Sequence, residues 1–239
     1  MAMTKWRTSL EHNSSVSESV EEIYNKYNKE GLICDDLNSV MNSLNQILVN
    51  KKQNPDNIIN WCLDNSTNPM AQIVLARRYR FGKWVEKNEH KAFIHYKKSA
   101  DMDFADGIFA VGACYTTGIG VNKDEHKAFI YYQKAADMHL YIIKNPADMG
   151  NADGIHNVGY CYQNGIGVEK DEHKAFIYYK KSADMGTPYG LNYFGYCYGH
   201  GVGVEIDEHK AFTYYLKSAN KGYVTAIKNV GYCYLYGQC

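Results

Sequence analysis

Apolar positions along this chain fall at helical spacing, and the same spacing returns every 36 residues. Ile155, Val158, Gly159 and Tyr162 occupy positions i, i+3, i+4 and i+7, which is one face of a helix. A second stripe follows at Ala175, Tyr178, Tyr179 and Ala183. It opens at Asp171, a residue suited to an N-cap, and Glu172 then meets the positive end of the helix dipole. Between the two stripes lies Gly165-Ile-Gly-Val168, repeated as Gly118-Ile-Gly-Val121 and Gly201-Val-Gly-Val204. Glycines there permit the positive φ of a helix end and tight turn. Each period therefore predicts a helical hairpin.

Two phrases recur in register. Asn/Asp-Glu-His-Lys-Ala-Phe stands at 88–93, 124–129, 171–176 and 207–212, with Ala92, Ala128, Ala175 and Ala211 spaced 36, 47 and 36 apart. Gly-Tyr-Cys-Tyr begins at Gly159, Gly195 and Gly231, and Gly112-Ala-Cys-Tyr115 is its earlier form, giving spacings of 47, 36 and 36. The unit is 36 residues with one insertion of 11, His139 to Met149, which repeats the Ala-Asp-Met joint of 136–138. Pro146 predicts a break within the insertion, and Leu140-Tyr-Ile-Ile143 is expected to fold onto the edge of the stack.

Stacked hairpins predict an all-α, right-handed α/α solenoid with units 69–104, 105–151, 152–187, 188–223 and a partial 224–239. The first unit departs from pattern, with Arg77-Arg78-Tyr79 in the Gly-x-Cys-Tyr place and Trp84 for the second loop glycine, as a capping repeat does. The last stops after its first helix, and its open face reads as truncation or as a surface for a partner, self-association included.

Ahead of the repeats, the polar, Ser-rich residues 1–16 predict disorder. A helical extension and cap is expected over 17–68. Ser19-x-x-Glu22 reads as a capping box opening a helix through Lys29. Leu37, Val40, Met41, Leu44, Ile47 and Leu48 stripe a second helix, and Asn54-Pro55 starts a third carrying Ile58, Ile59, Trp61 and Cys62.

The recurring wording Gly-x-x-Tyr-x-x-Gly-x-Gly-Val-x-x-Asp-x-x-Lys-Ala-x-x-Tyr-Tyr-x-x-Ala-Ala resembles the Sel-one-like repeat, a relative of the tetratricopeptide repeat, over about residues 69–239. With Asp-Glu-His-Lys-Ala-Phe and Ala-Asp-Met-Gly it is similar to expanded fungal arrays, some of which follow a kinase-like domain. The resemblance implies scaffolding in signalling, protein quality control or cell-wall regulation. It also carries a second reading, a regulatory tail module related to kinase-linked repeat proteins. The chain holds no Val-Ala-Ile-Lys, His-Arg-Asp or Asp-Phe-Gly phrase of its own.

Composition narrows the partner. The 26 Lys+Arg balance 26 Asp+Glu, which argues against a nucleic-acid binder and against attraction to anionic membranes. No apolar run approaches the roughly 20 residues of a bilayer span, and the N-terminus lacks an apolar signal region, so a cytoplasmic protein is expected. Seven cysteines, four of them (Cys114, Cys161, Cys197, Cys233) at one equivalent place per unit, are too far apart across units for disulfides and predict reduced, buried thiols. The cysteine-rich bacterial branch of the resembled family has two per unit; the second is missing here, and its suggested β-lactam binding does not carry over.

The Gly-x-Gly-Val turns follow helices and recur three times, so they read as structural turns rather than a phosphate loop. His90, His126, His173 and His209 stand at equivalent places about 10 Å apart, too far to share a zinc ion, and read as an exposed ridge. No catalytic residue, cofactor site or metal site is expected.

Tyrosine is the compositional outlier, 22 against 8 phenylalanines. Some first-helix columns repeat, Ile108/Ile155/Leu191/Ile227 and Val111/Val158/Phe194/Val230 among them, and read as scaffold. Others vary: Phe109/His156/Asn192/Lys228, Ala110/Asn157/Tyr193/Asn229, Ala113/Tyr160/Tyr196/Tyr232 and Thr116/Gln163/Gly199/Leu235. First helices line the concave surface of such solenoids. The candidate partner site is therefore His156, Asn157, Tyr160, Gln163, Asn192, Tyr193, Tyr196, Lys228, Asn229 and Tyr232, a strip whose amides suit a peptide backbone and whose tyrosines stack at small entropic cost. The near-identical column Tyr160/Tyr196/Tyr232 reads equally as filling between repeats. The expected role is a non-catalytic adaptor for a protein or extended peptide.

Overall fold

The computed structural model describes residues 14–26, 45–142, 152–237 and 239, and every regular element among them is a helix. Two short helices come first, α1 over 14–26 and α2 over 45–50. Ten more follow: α3 Pro55–Asp64, α4 Pro69–Phe81, α5 Glu89–Asp101, α6 Ala105–Thr117, α7 Glu125–Ile142, α8 Ala152–Asn164, α9 Glu172–Asp184, α10 Pro188–His200, α11 Glu208–Ala219 and α12 Val224–Tyr236. The chain forms two compact units, Met1–Lys123 and Asp124–Cys239.

Local chemistry sets the helix starts. Asp171 and Asp207 each accept a hydrogen bond from the backbone N–H three residues on, at 2.9 Å, and Asn88 does the same for Lys91 at 2.8 Å. Thr187 caps α10 through Gly190 N–H at 3.0 Å, and Asn54 and Asn68 cap α3 and α4, each with proline in the first turn. Such a cap contributes about 1 kcal/mol. The same backbone bond holds the carboxyls of Asp124, Asp171 and Asp207 below the usual range. Gly82, Gly118, Gly201 and Gly237 end the first helices with φ of +65° to +80°.

Three hairpin loops close in the same way. The N-cap amide of the second helix donates to the carbonyl of the first-helix tyrosine: Asn88 to Tyr79, Asp171 to Tyr162 and Asp207 to Tyr198, at 2.8–2.9 Å. In the following hairpin the second loop glycine presses on the start of the previous second helix. A Cβ on Gly120 would stand 2.0 Å from the Glu89 carbonyl oxygen; on Gly167, 2.1 Å from that of Glu125; on Gly203, 2.2 Å from that of Glu172. No side chain fits that approach, which is why the glycine recurs. Trp84 takes the same place in the first repeat at φ +67°. The helix before it, α3, starts two residues later than the 36-residue register from α5 sets, and Trp84 is half-buried with the Arg78 guanidinium 3.8 Å from its ring. Arg78 occupies the cysteine position, 1 % exposed, so the two departures of the first unit compensate one another.

In the first unit α4, α5 and α6 pack in sequence, and α3 lies on α4. Helix α1 buries Val16, Val20, Ile23 and Tyr24, and the Tyr24 hydroxyl donates to buried Asp106 on α6. This corrects the reading of Ser19 as an N-cap: Val16 extends the buried stripe upstream, so Ser19 lies inside the helix and donates to Ser15 O at 2.8 Å. Residues 14–16 are therefore helical rather than disordered. The rest of the expected disordered tail, the end of the first helix at Lys29, and Leu37 to Leu44 lie outside the described residues.

In the second unit α7 to α12 pack each on the next. The core under α9 and α10 joins Ala175, Tyr179, Ala183, Leu191, Phe194 and Cys197. Each large side chain buried this way contributes about 2–3 kcal/mol. Helix α7 runs 18 residues against 13 in α9, carrying the first residues of the insertion on as helix; the remainder of the insertion, 143–149 with Pro146, lies outside the described residues.

Candidate functional site

The tyrosines of the second unit divide by what covers them. On the second-helix side, Tyr162 stacks with Tyr178 and Tyr198 with Tyr214, at 5.7 and 6.2 Å between ring centres. Lysines close over these rings, Lys174 over Tyr162, Lys181 over Tyr178, Lys210 over Tyr198 and Lys217 over Tyr214, at 4.9–5.2 Å. On the first-helix side, among the described residues, no lysine or arginine stands over Tyr160, Tyr193, Tyr196 or Tyr232.

That uncovered side is the strip the sequence singled out. Helices α8 and α10 meet through the His156 and Tyr193 rings, 4.3 Å apart. Tyr193 also stacks on buried Tyr179 at 5.3 Å, and Tyr189 packs on Tyr223 at 4.8 Å. Tyr160 and Tyr232 leave 41 % and 57 % of their surface open, and Tyr196 is half-buried against His200, 4.0 Å away. Asn229 donates to Asn192 Oδ1 at 3.0 Å, tying α12 to α10, and Asn192 is buried. Gln163 accepts from the Tyr179 hydroxyl at 2.7 Å. Asn157 is half-buried without a hydrogen-bond partner among the described residues, and Lys228 is exposed. His156, Tyr193 and Tyr196 thus form one ring cluster with Tyr179 and Tyr189, whereas Gln163, Asn192 and Asn229 have part of their bonding capacity committed within the fold.

His156 is the least ordinary member. Its Nδ1 is sealed from solvent and unpartnered. Desolvation pushes its pKa down to about 4, so the ring is neutral at physiological pH. The strip then carries one formal charge, Lys228. Sequence spacing did not show that Tyr189 and Tyr223 join this cluster, because both lie at starts of first helices, outside the columns of the candidate strip.

The histidines of the Glu-His-Lys phrase are exposed, and two also join repeats. His90 Nδ1 donates to Gly120 O and His126 Nδ1 to Gly167 O, both at 3.1 Å. The carbonyl only accepts, so the proton sits on Nδ1. The thiols of Cys62, Cys114 and Cys197 are pushed up to about 12 by burial, and that of Cys161 to about 11, so they stay protonated. Cys233 departs from the expected reduced state: it is bonded to Cys239, Cα atoms 4.8 Å apart. The spacing argument weighed only equivalent positions in different repeats; the bonded pair lies six residues apart within one. In the first unit, Arg80, Tyr96, Phe109, Ala113, Cys114 and Thr117 line a cleft of about 20 Å³, room for about one water. Among the described residues no three His, Cys, Asp or Glu side chains group as a metal site, and no helix is long and apolar enough to cross a membrane.

Five stretches, 69–104, 105–140, 152–187, 188–223 and 224–239, match the Sel1 repeat and together cover most of the chain. The chain belongs to the Sel1 repeat family. A Sel1 repeat protein from Oxalobacter formigenes is similar in structure, with a TM-score of 0.69 at 27% identity over 91% of each chain. The fold is also that of c5321, a protective antigen of uropathogenic Escherichia coli with an SLR fold: TM-score 0.64, 21% identity, 98% of this chain and 51% of that one. Among curated proteins none matches. The architecture is an all-α solenoid of Sel1 repeats, a family of protein-interaction scaffolds rather than catalysts.

Proposed function

We propose that this Sel1 repeat chain is a non-catalytic adaptor that binds an extended segment of a protein partner along the first-helix face of α8, α10 and α12, the face expected to be concave. One observation carries the reading: tyrosine rings free of covering lysines run across three successive first helices, beside an amide, Asn157, with no partner of its own. Tyr162, Tyr178, Tyr198 and Tyr214 are capped by lysines and held in stacked pairs, an arrangement that serves the scaffold. Open aromatic rings beside unsatisfied amides suit a peptide, whose backbone supplies donors and acceptors and whose side chains pack on the rings.

The test is selection of random linear peptides displayed on phage against the full chain, with counter-selection on the triple variant Tyr160→Ala/Asn157→Ala/Tyr196→Ala after circular dichroism has established that both are helical. Peptides retained by the parent and lost by the variant are expected. Peptides that bind both equally would move the site off this face.

A further inference from the structure

The cysteine column changes character at α12. Cys114, Cys161 and Cys197 are buried thiols, whereas Cys233 is bonded to Cys239, six residues on. Cys239 stands 36 residues after Gly203, in the place where earlier repeats hold the second loop glycine. Gly237, at φ +65° and with its amide bonded to the Cys233 carbonyl at 3.0 Å, ends α12 and lets the chain turn back. Cys239 then reaches two other helices. It packs against the cluster of Ala211, Tyr215 and Cys233, and a Cβ on Gly199 of α10 would overlap its carbonyl oxygen. Gly199 is the counterpart of Gln163, whose side chain receives the Tyr179 hydroxyl in α8; Tyr215, the counterpart of Tyr179, meets no side chain at 199. The glycine leaves the space in which Cys239 is seated.

The surroundings are those of a bond that exchanges. Disulfides sealed in a core resist reduction, and those within reach of solvent exchange with thiolates. Cys233 is 7 % exposed, but Cys239 is half-buried at an edge where Tyr234, Leu235 and Tyr236 are open. The other cysteines of the column do not compete, because burial keeps them protonated and the thiolate is the nucleophile. We propose that Cys233–Cys239 is a redox clasp that, when oxidised, holds Cys239 over Gly199 and Tyr215 and gives α12 a second tie to α10 beside the Asn229–Asn192 bond. The reductant is a small cellular thiol of the glutathione class. Its thiolate attacks the more exposed sulfur, Cys239 Sγ, forming a mixed disulfide and expelling the Cys233 thiolate, which takes up a proton. A second thiol then displaces the first as its disulfide, so one bond and two thiols become two protein thiols and one oxidised thiol pair. Cys239 leaves its seat, and Gly199, Tyr196 and Tyr215 are uncovered. The clasp holds whatever the first-helix face binds.

The experiment holds the full chain at neutral pH in buffers of varied reduced-to-oxidised glutathione ratio. Free thiols are counted by alkylation and mass spectrometry without denaturant, and hydrogen exchange is followed helix by helix. Reducing buffer should free two alkylatable thiols, Cys233 and Cys239, and oxidising buffer should close them again, while Cys114, Cys161 and Cys197 stay unlabelled until urea is added. On reduction, exchange in α12 and over 195–200 of α10 should quicken by at least about tenfold, with α4 to α8 unchanged. Cys239→Ser should exchange like the reduced chain in every buffer. Gly199→Ala, which denies the seat without touching a sulfur, should shift the balance towards the two thiols by about tenfold in the glutathione ratio. A bond that survives reduced glutathione is a fixed staple and overturns the proposal, as does a pair that stays reduced in oxidising buffer. Exchange in α12 that ignores reduction, or a Gly199→Ala chain that titrates at the parent's ratio, overturns it equally.

Discussion

Helices α10 and α12 carry the same Gly-Tyr-Cys-Tyr phrase and live in different surroundings. In α10, Leu191 is 6 % exposed and Phe194 3 %, because α9 and α11 cover them. In α12, the equivalent Ile227 is 51 % exposed and Val230 half-buried, with α11 on one side and no helix on the other among the described residues. One periodic pattern thus produces core at one place and open surface at the other. In a solenoid, burial belongs to the interface between neighbours, and a side chain becomes core only when a neighbour arrives.

The sharpest way to test that contrast is to truncate equivalent residues. Phe194→Ala removes a ring that meets Phe176, Tyr198 and Tyr214 at 4.7–5.2 Å, and should lower stability by about 3–4 kcal/mol in urea unfolding. Val230→Ala, its counterpart, should cost about 0.5–1 kcal/mol. Similar losses at both sites would mean that α12 is as well packed as α10, and would break the comparison.

The next effect concerns the joints that the terminal helix lacks. Gly203→Ala places a Cβ 2.2 Å from the Glu172 carbonyl oxygen at φ +66°, so the backbone must move and the close approach between repeats is lost. A loss of about 2–3 kcal/mol is expected in thermal unfolding. Gly237→Ala has the same sign of φ but meets nothing, and should cost only the conformational strain, about 1 kcal/mol.

Much of this was legible in the sequence, for physical reasons. Helical spacing, an Asp or Asn before Glu-His-Lys, and glycines at turn positions are local signals, and the structure realises them as hairpins capped at Asn88, Asp171 and Asp207. What stayed hidden depends on a neighbour. The bond from His90 to the Gly120 carbonyl joins residues 30 apart whose approach is set by stacking, so the histidine looked like bare surface. Arg78 and Trp84 read in the sequence as separate departures of a capping repeat, and only their contact shows that one accommodates the other. The enclosure of His156 needs rings from α9 and α10, and the Cys233–Cys239 bond needs the chain to turn back after α12.

That enclosure gives a third prediction, specific to the inner face. Unfolded, the His156 imidazole titrates near 6.5; folded, desolvation among Tyr179, Tyr189 and Tyr193 holds it near 4. As pH falls through 6.5 the unfolded state takes up a proton that the folded state refuses. Stability is whole above about pH 6.5 and declines down to about 4, by about 2 kcal/mol for this partly enclosed group. His95 in the first unit, also lowered to about 4, chiefly by desolvation and then by Lys98 and Lys91, adds a loss of the same sign. Melting temperatures from pH 8 to pH 4 should fall less steeply for His156→Phe than for the parent, and identical slopes would remove His156 from the account.

The smallest effect is the most discriminating, because its sign should reverse between the two helices. Glycine inside a helix costs about 0.5–1 kcal/mol relative to alanine. At Gly231 a Cβ meets no atom within 4 Å, so Gly231→Ala should recover that amount and stabilise the chain. At Gly195 the same Cβ lies 3.1 Å from the Ala211 carbonyl oxygen, 3.1 Å from the Tyr215 ring and 3.2 Å from Tyr214 Cβ. There α11 must retreat by a few tenths of an ångström, which opens the packing over buried Tyr215, and Gly195→Ala should destabilise by about 1 kcal/mol. Hydrogen exchange read separately on α10 and α12 locates each change. A gain at both positions would mean that helix propensity alone sets these glycines; a loss at both would mean that α12 is covered in solution, and that its apolar face has a neighbour there.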